Sequence, residues 1–141
     1  MNDIREFFKR DTFAEYLGIQ LVEVAPGYAK ATMKLTAKHL NGVDVAHGGA
    51  IFSLADLVFA AASNSHGTVA VAINASIHFL KGAVQNATLT AEAKEVSLHP
   101  KLGTYAISVT DEKGSLVATF QGMVYRKGDK LTDLPPRSAG G

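Results

Sequence analysis

The sequence predicts an α+β domain in which a curved antiparallel sheet of five to six strands packs on, and curls around, one long buried helix. Three observations predict it. A segment opened by Gly48-Gly49 stays apolar through Ala62 with a single charge, Asp56, inside it. Beyond Gly67 the apolar period changes to two and stays there. Before the helix, a Pro-Gly turn separates two short alternating runs. At 141 residues the chain fits one domain, and a domain of that size buries about two-thirds of its unfolded surface, enough to enclose a helix.

Residues 3–17 read as helical, with an apolar stripe of Ile4, Phe7 and Phe8. Thr12-Phe13-Ala14-Glu15 has the spacing of a capping box for a second short turn, and Gly18 suits a left-handed helix end. Residues 19–24 and 28–35 form the hairpin around Ala25-Pro26-Gly27. Its second strand sets Ala29, Ala31, Met33 and Leu35 against Tyr28, Lys30, Thr32 and Lys34. A loop over 36–46 carries the turn dipeptide Asn41-Gly42. The long helix runs from about Gly48 to Asn64, and strand 69–80 puts Val71, Ile73, Ala75, Ile77 and Phe79 on one face. Ala72, Asn74, Ser76 and His78 lie opposite. Strands 88–97, 104–110 and 115–126 follow. Residues 1–127 make the domain, and the aperiodic tail 128–141, ending Leu134-Pro135-Pro136-Arg137-Ser138-Ala139-Gly140-Gly141, reads as disordered.

The long helix is where chemistry can reside. Gly49, Ser53, Asp56, Ala60 and Ser63 recur at steps of three and four and share one face, while the other faces are apolar. A helix apolar nearly all round is buried nearly all round, so Asp56 is read as a charge within or at the edge of a core. Desolvation raises the pKa of such a carboxylate, and the macrodipole fades within the first turn, so its own helix helps it little. It can then act as general base or nucleophile, or be a structural Asp bonded to loop amides or to Ser53; the two readings weigh about equally. His47-Gly48-Gly49 starts the helix, where free amides can stabilise an oxyanion, though a tight turn into a closely packed helix explains it as well.

Other classes are excluded more readily. Fourteen basic and 13 acidic residues leave a net charge of +1, with no basic run to suggest nucleic acid or an anionic membrane. There is no cysteine, hence no disulfide and no thiolate nucleophile or metal ligand. Residues 57–80 lack Asp, Glu, Lys and Arg, but Ser63-Asn64-Ser65-His66-Gly67-Thr68 cuts the run, so a soluble, cytoplasmic protein is expected. The N-terminus mixes charges and is not a signal peptide. The five histidines show no metal-ligand spacing, and neither a G-x-S-x-G elbow nor a nucleotide-binding glycine motif occurs.

Taken together, Asn41-Gly42 and, six positions on, His47-Gly48-Gly49-x-x-Phe52-Ser53-Leu54-Ala55-Asp56 resemble the hotdog-fold acyl-CoA thioesterases, most of all the PaaI-type members associated with phenylacetate degradation. The likeness runs loosely over residues 13–128. It implies a helix wrapped by a curved sheet, a homodimer with two sites at its interface, and commonly a homotetramer of two such dimers. It implies that Asp56 is the catalytic carboxylate, that the Gly48 amide polarises the thioester carbonyl, that His47 shapes the loop, and that Asn41 orients water or substrate. Gly49, Phe52, Ser53, Asn74 and Ser76 are the substrate-binding candidates. Asp56 would face the His47–Gly48 region of the other subunit. Several relatives carry a hydroxyl one turn beyond the carboxylate; here that position is Ala60, and Ala72 on the next strand offers no substitute. No cofactor is implied beyond the coenzyme A of the substrate, whose phosphates could meet Lys81, Lys101, Arg126 or Lys127. The implied reaction is hydrolysis of an acyl-CoA, aromatic acyl groups included. A non-catalytic acyl-CoA-binding or sensor module is the alternative, and a hotdog dehydratase a weaker one.

Overall fold

The computed structural model describes residues 2–135. In chain order these form helices α1 (Asn2–Phe8) and α2 (Thr12–Leu17), strands β1 (Gln20–Ala25) and β2 (Tyr28–Lys34), helix α3 (Gly48–Ser63), and strands β3 (Thr68–Phe79), β4 (Thr88–Leu98), β5 (Leu102–Thr110) and β6 (Leu116–Lys130). The six strands make one antiparallel sheet in the order β1-β2-β4-β5-β6-β3. The chain therefore has the α+β architecture expected, with α3 laid across the sheet.

The alternation in β2 sets the packing. Ala29, Ala31, Met33 and Leu35 are buried against α3, and Leu89, Ala91 and Ala93 of β4 continue the surface. On α3, Leu54, Ala55, Val58, Phe59, Ala61 and Ala62 are buried. Small residues on both sides let helix and sheet approach closely. The Phe59 ring occupies the space above Gly122 of β6, where any Cβ would collide with it. Phe59 also tilts against Phe120 and Tyr105, with ring centroids 5.6 and 5.9 Å away.

The N-terminal segment is two helices rather than one. Asp11, not Thr12, is the N-cap of α2: its Oδ1 accepts from the Ala14 amide at 2.9 Å. Gly18 closes α2 in the left-handed conformation at φ 76°. The hairpin turn needs Gly27, at φ 72° and with Glu95 pressed where a Cβ would stand.

Two expectations need correction. The faces of β3 do not alternate unbroken, because a bulge between Ala72 and Asn74 shifts the register against β6. Ala72, Ala75 and Ile77 pair with Val124, Gly122 and Phe120 on the helix side, whereas Val71 pairs with Tyr125 on the outer side, with Asn74 and Ser76. One inserted residue exchanges the faces. The tail is also ordered further than expected. β6 continues to Lys130, a 3-10 turn covers Leu131–Asp133, and Leu131 is buried with its amide donating to the Gly67 carbonyl at 3.0 Å. That order rests on partners more than sixty residues away; positions 136–141 lie outside the described residues.

β3 is a sheet edge and is exposed along most of its length, with Val71, Ile73 and Phe79 between 42% and 54% accessible. A long apolar edge strand left open invites pairing with another strand.

Candidate active site

The N-terminus of α3 is built by the loop before it. Asn41 organises that loop: its Oδ1 accepts from the Val43 and Val45 amides at 3.0 and 3.3 Å, and its own amide donates to the Val45 carbonyl at 2.8 Å. Its side-chain amide nitrogen has no partner among the described residues. The loop is tied down where Ala46 donates to the Ala83 carbonyl and His47 to the His39 carbonyl, at 2.8 and 2.7 Å.

His47 is the N-cap. Its backbone is extended, its carbonyl accepts from Ala50 and Ile51 at 2.9 and 3.2 Å, and its Nδ1 accepts from the Gly49 amide at 2.8 Å. An accepting Nδ1 assigns the ring proton to Nε2. Of the first-turn amides, Gly49, Ala50 and Ile51 are thereby engaged. Gly48 N–H has no partner among the described residues, so the free donor at the positive end of the helix is this one. The Phe79 ring lies against Gly48, its Cζ 3.1 Å from where a Cβ would stand.

From this end one stripe of α3 stays open: Gly49 and Asp56 are exposed, and Ser53 and Ala60 half-buried. Of the two positions expected for Asp56, within the core or at its edge, the chain shows the edge: every other face of the helix is covered, and this one is not. Ser53 does not serve Asp56, since its hydroxyl donates to the Gly49 carbonyl at 2.7 Å. No described residue bonds the Asp56 carboxylate. Although it reaches solvent, the flanking protein partly desolvates it, and with the Asp11 carboxylate as a lesser cause this holds its pKa above the usual carboxylate value. Within the chain, neither the loop amides nor Ser53 bonds it, so a structural role finds no partner among the described residues.

Asp56 and Gly48 are eight residues apart on one helix, about 12 Å at 1.5 Å per residue. An oxyanion donor and a base serving the same carbonyl each need to approach within about 3 Å. One chain cannot present both to one thioester.

Phe52 lies edge-on to Phe120, centroids 5.2 Å apart, and is half-buried beside Ser53. Asn74 and Ser76, in contrast, lie on the sheet face turned away from α3 and are not brought to Asp56 within the chain. Three of the four candidate cations have structural engagements. Lys81 pairs with Asp111 at 2.8 Å, Arg126 donates to the His99 carbonyl and Thr68, and Lys101 sits 6.0 Å above the Tyr125 ring. For Lys127 no partner occurs among the described residues.

Two residues that matter here lie outside the candidates drawn from the sequence. Asp11 places a second carboxylate near Asp56, and an Asp ahead of a short helix is a recognisable cap. His39 is buried, with Nδ1 accepting from the Thr36 amide at 2.9 Å and Nε2 2.7 Å from the Leu17 carbonyl. Only the fold brings those partners to it. No group of three or more potential metal ligands gathers among the described residues, and none of their helices is long and apolar enough to cross a membrane.

Comparison with known proteins bears on this geometry. Residues 44–118 match the family model of the thioesterase superfamily. A protein of Archaeoglobus fulgidus, named only as a candidate esterase, is 47% identical over 93% of this chain and 83% of its own length. The acyl-coenzyme A thioesterase PaaI of Escherichia coli is 39% identical over 89% of each chain. The solved structure of the E. coli PaaI protein from the phenylacetic acid degradation operon superposes with a TM-score of 0.89 over 92% of this chain and 94% of that one, at 37% identity. A Streptococcus mutans protein solved bound to acetyl CoA matches at TM-score 0.76 and 28% identity, over 79% of this chain and 90% of its own.

Proposed function

The chain belongs to the thioesterase superfamily as a hotdog-fold enzyme of the PaaI type, and we propose that it hydrolyses acyl-CoA thioesters, aromatic ones such as phenylacetyl-CoA among them, to free acid and coenzyme A. The observation that carries this reading is an unbonded carboxylate, Asp56, on the single open stripe of an otherwise buried helix whose first amide, Gly48 N–H, is also free. These are the two groups thioester hydrolysis needs, a base or nucleophile and an oxyanion donor.

Their separation makes the site a shared one. Two copies pairing through the exposed β3 edges extend the sheet and bring Asp56 of one against the Gly48 end of the other, and pairs of such dimers form the tetramer. Asp56 then either takes a proton from the water that attacks the carbonyl carbon, or attacks that carbon itself to give a mixed anhydride that water opens. In both routes the carbonyl oxygen gains charge beside Gly48 N–H, the C–S bond breaks, and the CoA thiolate leaves and takes up a proton. Direct attack needs no water held in the first step, which suits a site with Ala60 and Ala72 where a hydroxyl would otherwise stand. Asn41 and His47 contribute by fixing the loop that aims Gly48. A CoA substrate makes the cytoplasm the expected compartment, with no cofactor beyond the CoA itself.

The test is CoA release across short, medium, long and aromatic acyl-CoAs. Asp56→Asn is expected to lose about a hundredfold or more on the best substrate, as for removal of a general base or nucleophile; near-normal turnover would refute the assignment. Mixing Asp56→Asn with an inactive Gly48→Val variant should restore activity through hybrid pairs that keep one intact site. Absence of recovery in verified hybrids would return the site to a single chain.

A further inference from the structure

A groove of about 490 Å³ runs between α2 and the first two turns of α3, within the roughly 300–1,000 Å³ range of small-ligand pockets. Its lining includes both chain neighbours of Gly48, His47 and Gly49, then Ser53, one turn before Asp56. The rest of the lining is mostly apolar: Leu17, Leu40, Ala50 and Phe52 line it beside Lys38 and His39, and Phe13 of α2 stands over it, 60% exposed. Phe13 is therefore placed at the open mouth of the groove, with its ring free to meet an apolar occupant.

The far wall is fixed. The last two carbonyls of α2 are held by the segment after β2: Lys38 Nζ donates to the Tyr16 carbonyl, and His39 Nε2 bonds the Leu17 carbonyl at 2.7 Å. The Lys38 ammonium also lies 4.9 Å above the Tyr16 ring. His39 passes the restraint on, because its own carbonyl holds the amide of His47. The wall that carries Phe13 and the loop that aims Gly48 are therefore one connected unit.

Resting on the hydrolase reading above, we infer that this groove receives the acyl group of the thioester, in the subunit whose Gly48 amide meets the carbonyl, and that Phe13 is a specificity-determining residue selecting aromatic acyl groups. A carbonyl at Gly48 N–H leaves the acyl carbon chain only a few ångströms to travel before it passes Gly49 into the apolar part. An aromatic ring there meets Phe13 and Phe52, and rings gain from offset or edge-on contact beyond their area alone. His39 is a positioning residue, acting on the site through α2 and His47.

The experiment compares kcat/KM for phenylacetyl-CoA and acetyl-CoA in wild type, Phe13→Ala and His39→Gln, with folding checked by thermal melting. Phe13→Ala should lower the phenylacetyl-to-acetyl ratio about tenfold, the scale of losing an apolar contact in a specificity pocket. The change should fall mainly on KM for phenylacetyl-CoA, while His39→Gln should lower kcat for both substrates. An unchanged ratio in a folded Phe13→Ala protein overturns the inference. If the wild type releases CoA from no acyl-CoA of the short, medium, long and aromatic series, it is the hydrolase reading that fails. The groove is then judged by phenylacetyl-CoA binding in a titration, and equal affinity in wild type and Phe13→Ala overturns it.

Discussion

The two ends of α3 treat their polar groups in opposite ways. At the C-terminal end Ser63, Asn64 and Ser65 are buried and fully engaged. Asn64 donates to the Ala60 carbonyl at 2.8 Å and accepts from the Ala70 amide at 2.9 Å, while Ser65 donates to the Ala62 carbonyl and accepts from Gly27 at 2.8 Å. These bonds join the helix to β3 and to the β1–β2 turn. Toward the N-terminal end, Gly48 N–H and the Asp56 carboxylate have no partner among the described residues, and both lie at or near the surface. Satisfied polar groups hold a fold together, and unsatisfied ones kept at hand are where chemistry can occur.

Substitution at each end should separate those roles. The largest effect on stability is expected from Asn64→Ala, which removes the acceptor of the half-buried Ala70 amide, while the Ala60 carbonyl keeps the backbone amide of residue 64 and the Ser63 hydroxyl as donors. A loss of about 1–2 kcal/mol, read from the urea midpoint, follows from the penalty for one such group. Turnover per folded molecule should remain near that of wild type, and a large fall in kcat would blur the comparison.

A smaller effect of opposite sign is expected from Asp56→Asn. Because the folded protein raises the Asp56 pKa, its contribution favours the folded state below the unfolded carboxylate pKa and is lost as pH rises through the folded value. Asparagine loses nothing there. The variant should therefore melt slightly higher than wild type at neutral pH, with the gap closing as the pH falls below the carboxylate range. A variant that melts lower at pH 7 would mean that Asp56 has a donor in the assembled protein.

Much of this was legible in the chain, and the exceptions have physical causes. Helix α3 was readable almost to the residue because Gly48-Gly49 begins it and apolar residues fill it. The hairpin was readable because Pro26-Gly27 admits few other conformations. The bulge at Ile73 was not, since a local register shift leaves the composition of a strand unchanged. Nor was the order of Leu131, which depends on Gly67, or the role of His39, which depends on Leu17. Asp56 stood out as the odd charge on an apolar helix. Whether it lay within the core or at its edge was open, because counting apolar faces cannot show which one the sheet leaves uncovered.

The Phe59 ring above Gly122 acts as a key in a slot. With no atom to spare on β6, α3 can neither slide nor roll on the sheet without breaking that fit, and Asp56 is only three residues from the key. The carboxylate is therefore set at a fixed height above the sheet by a contact less than one turn along the helix, on the neighbouring, sheet-facing side. The rim at Phe13 has no such constraint. On the function proposed above, substrate preference can change there, one exposed side chain at a time, while Asp56 remains where Phe59 and Gly122 hold it.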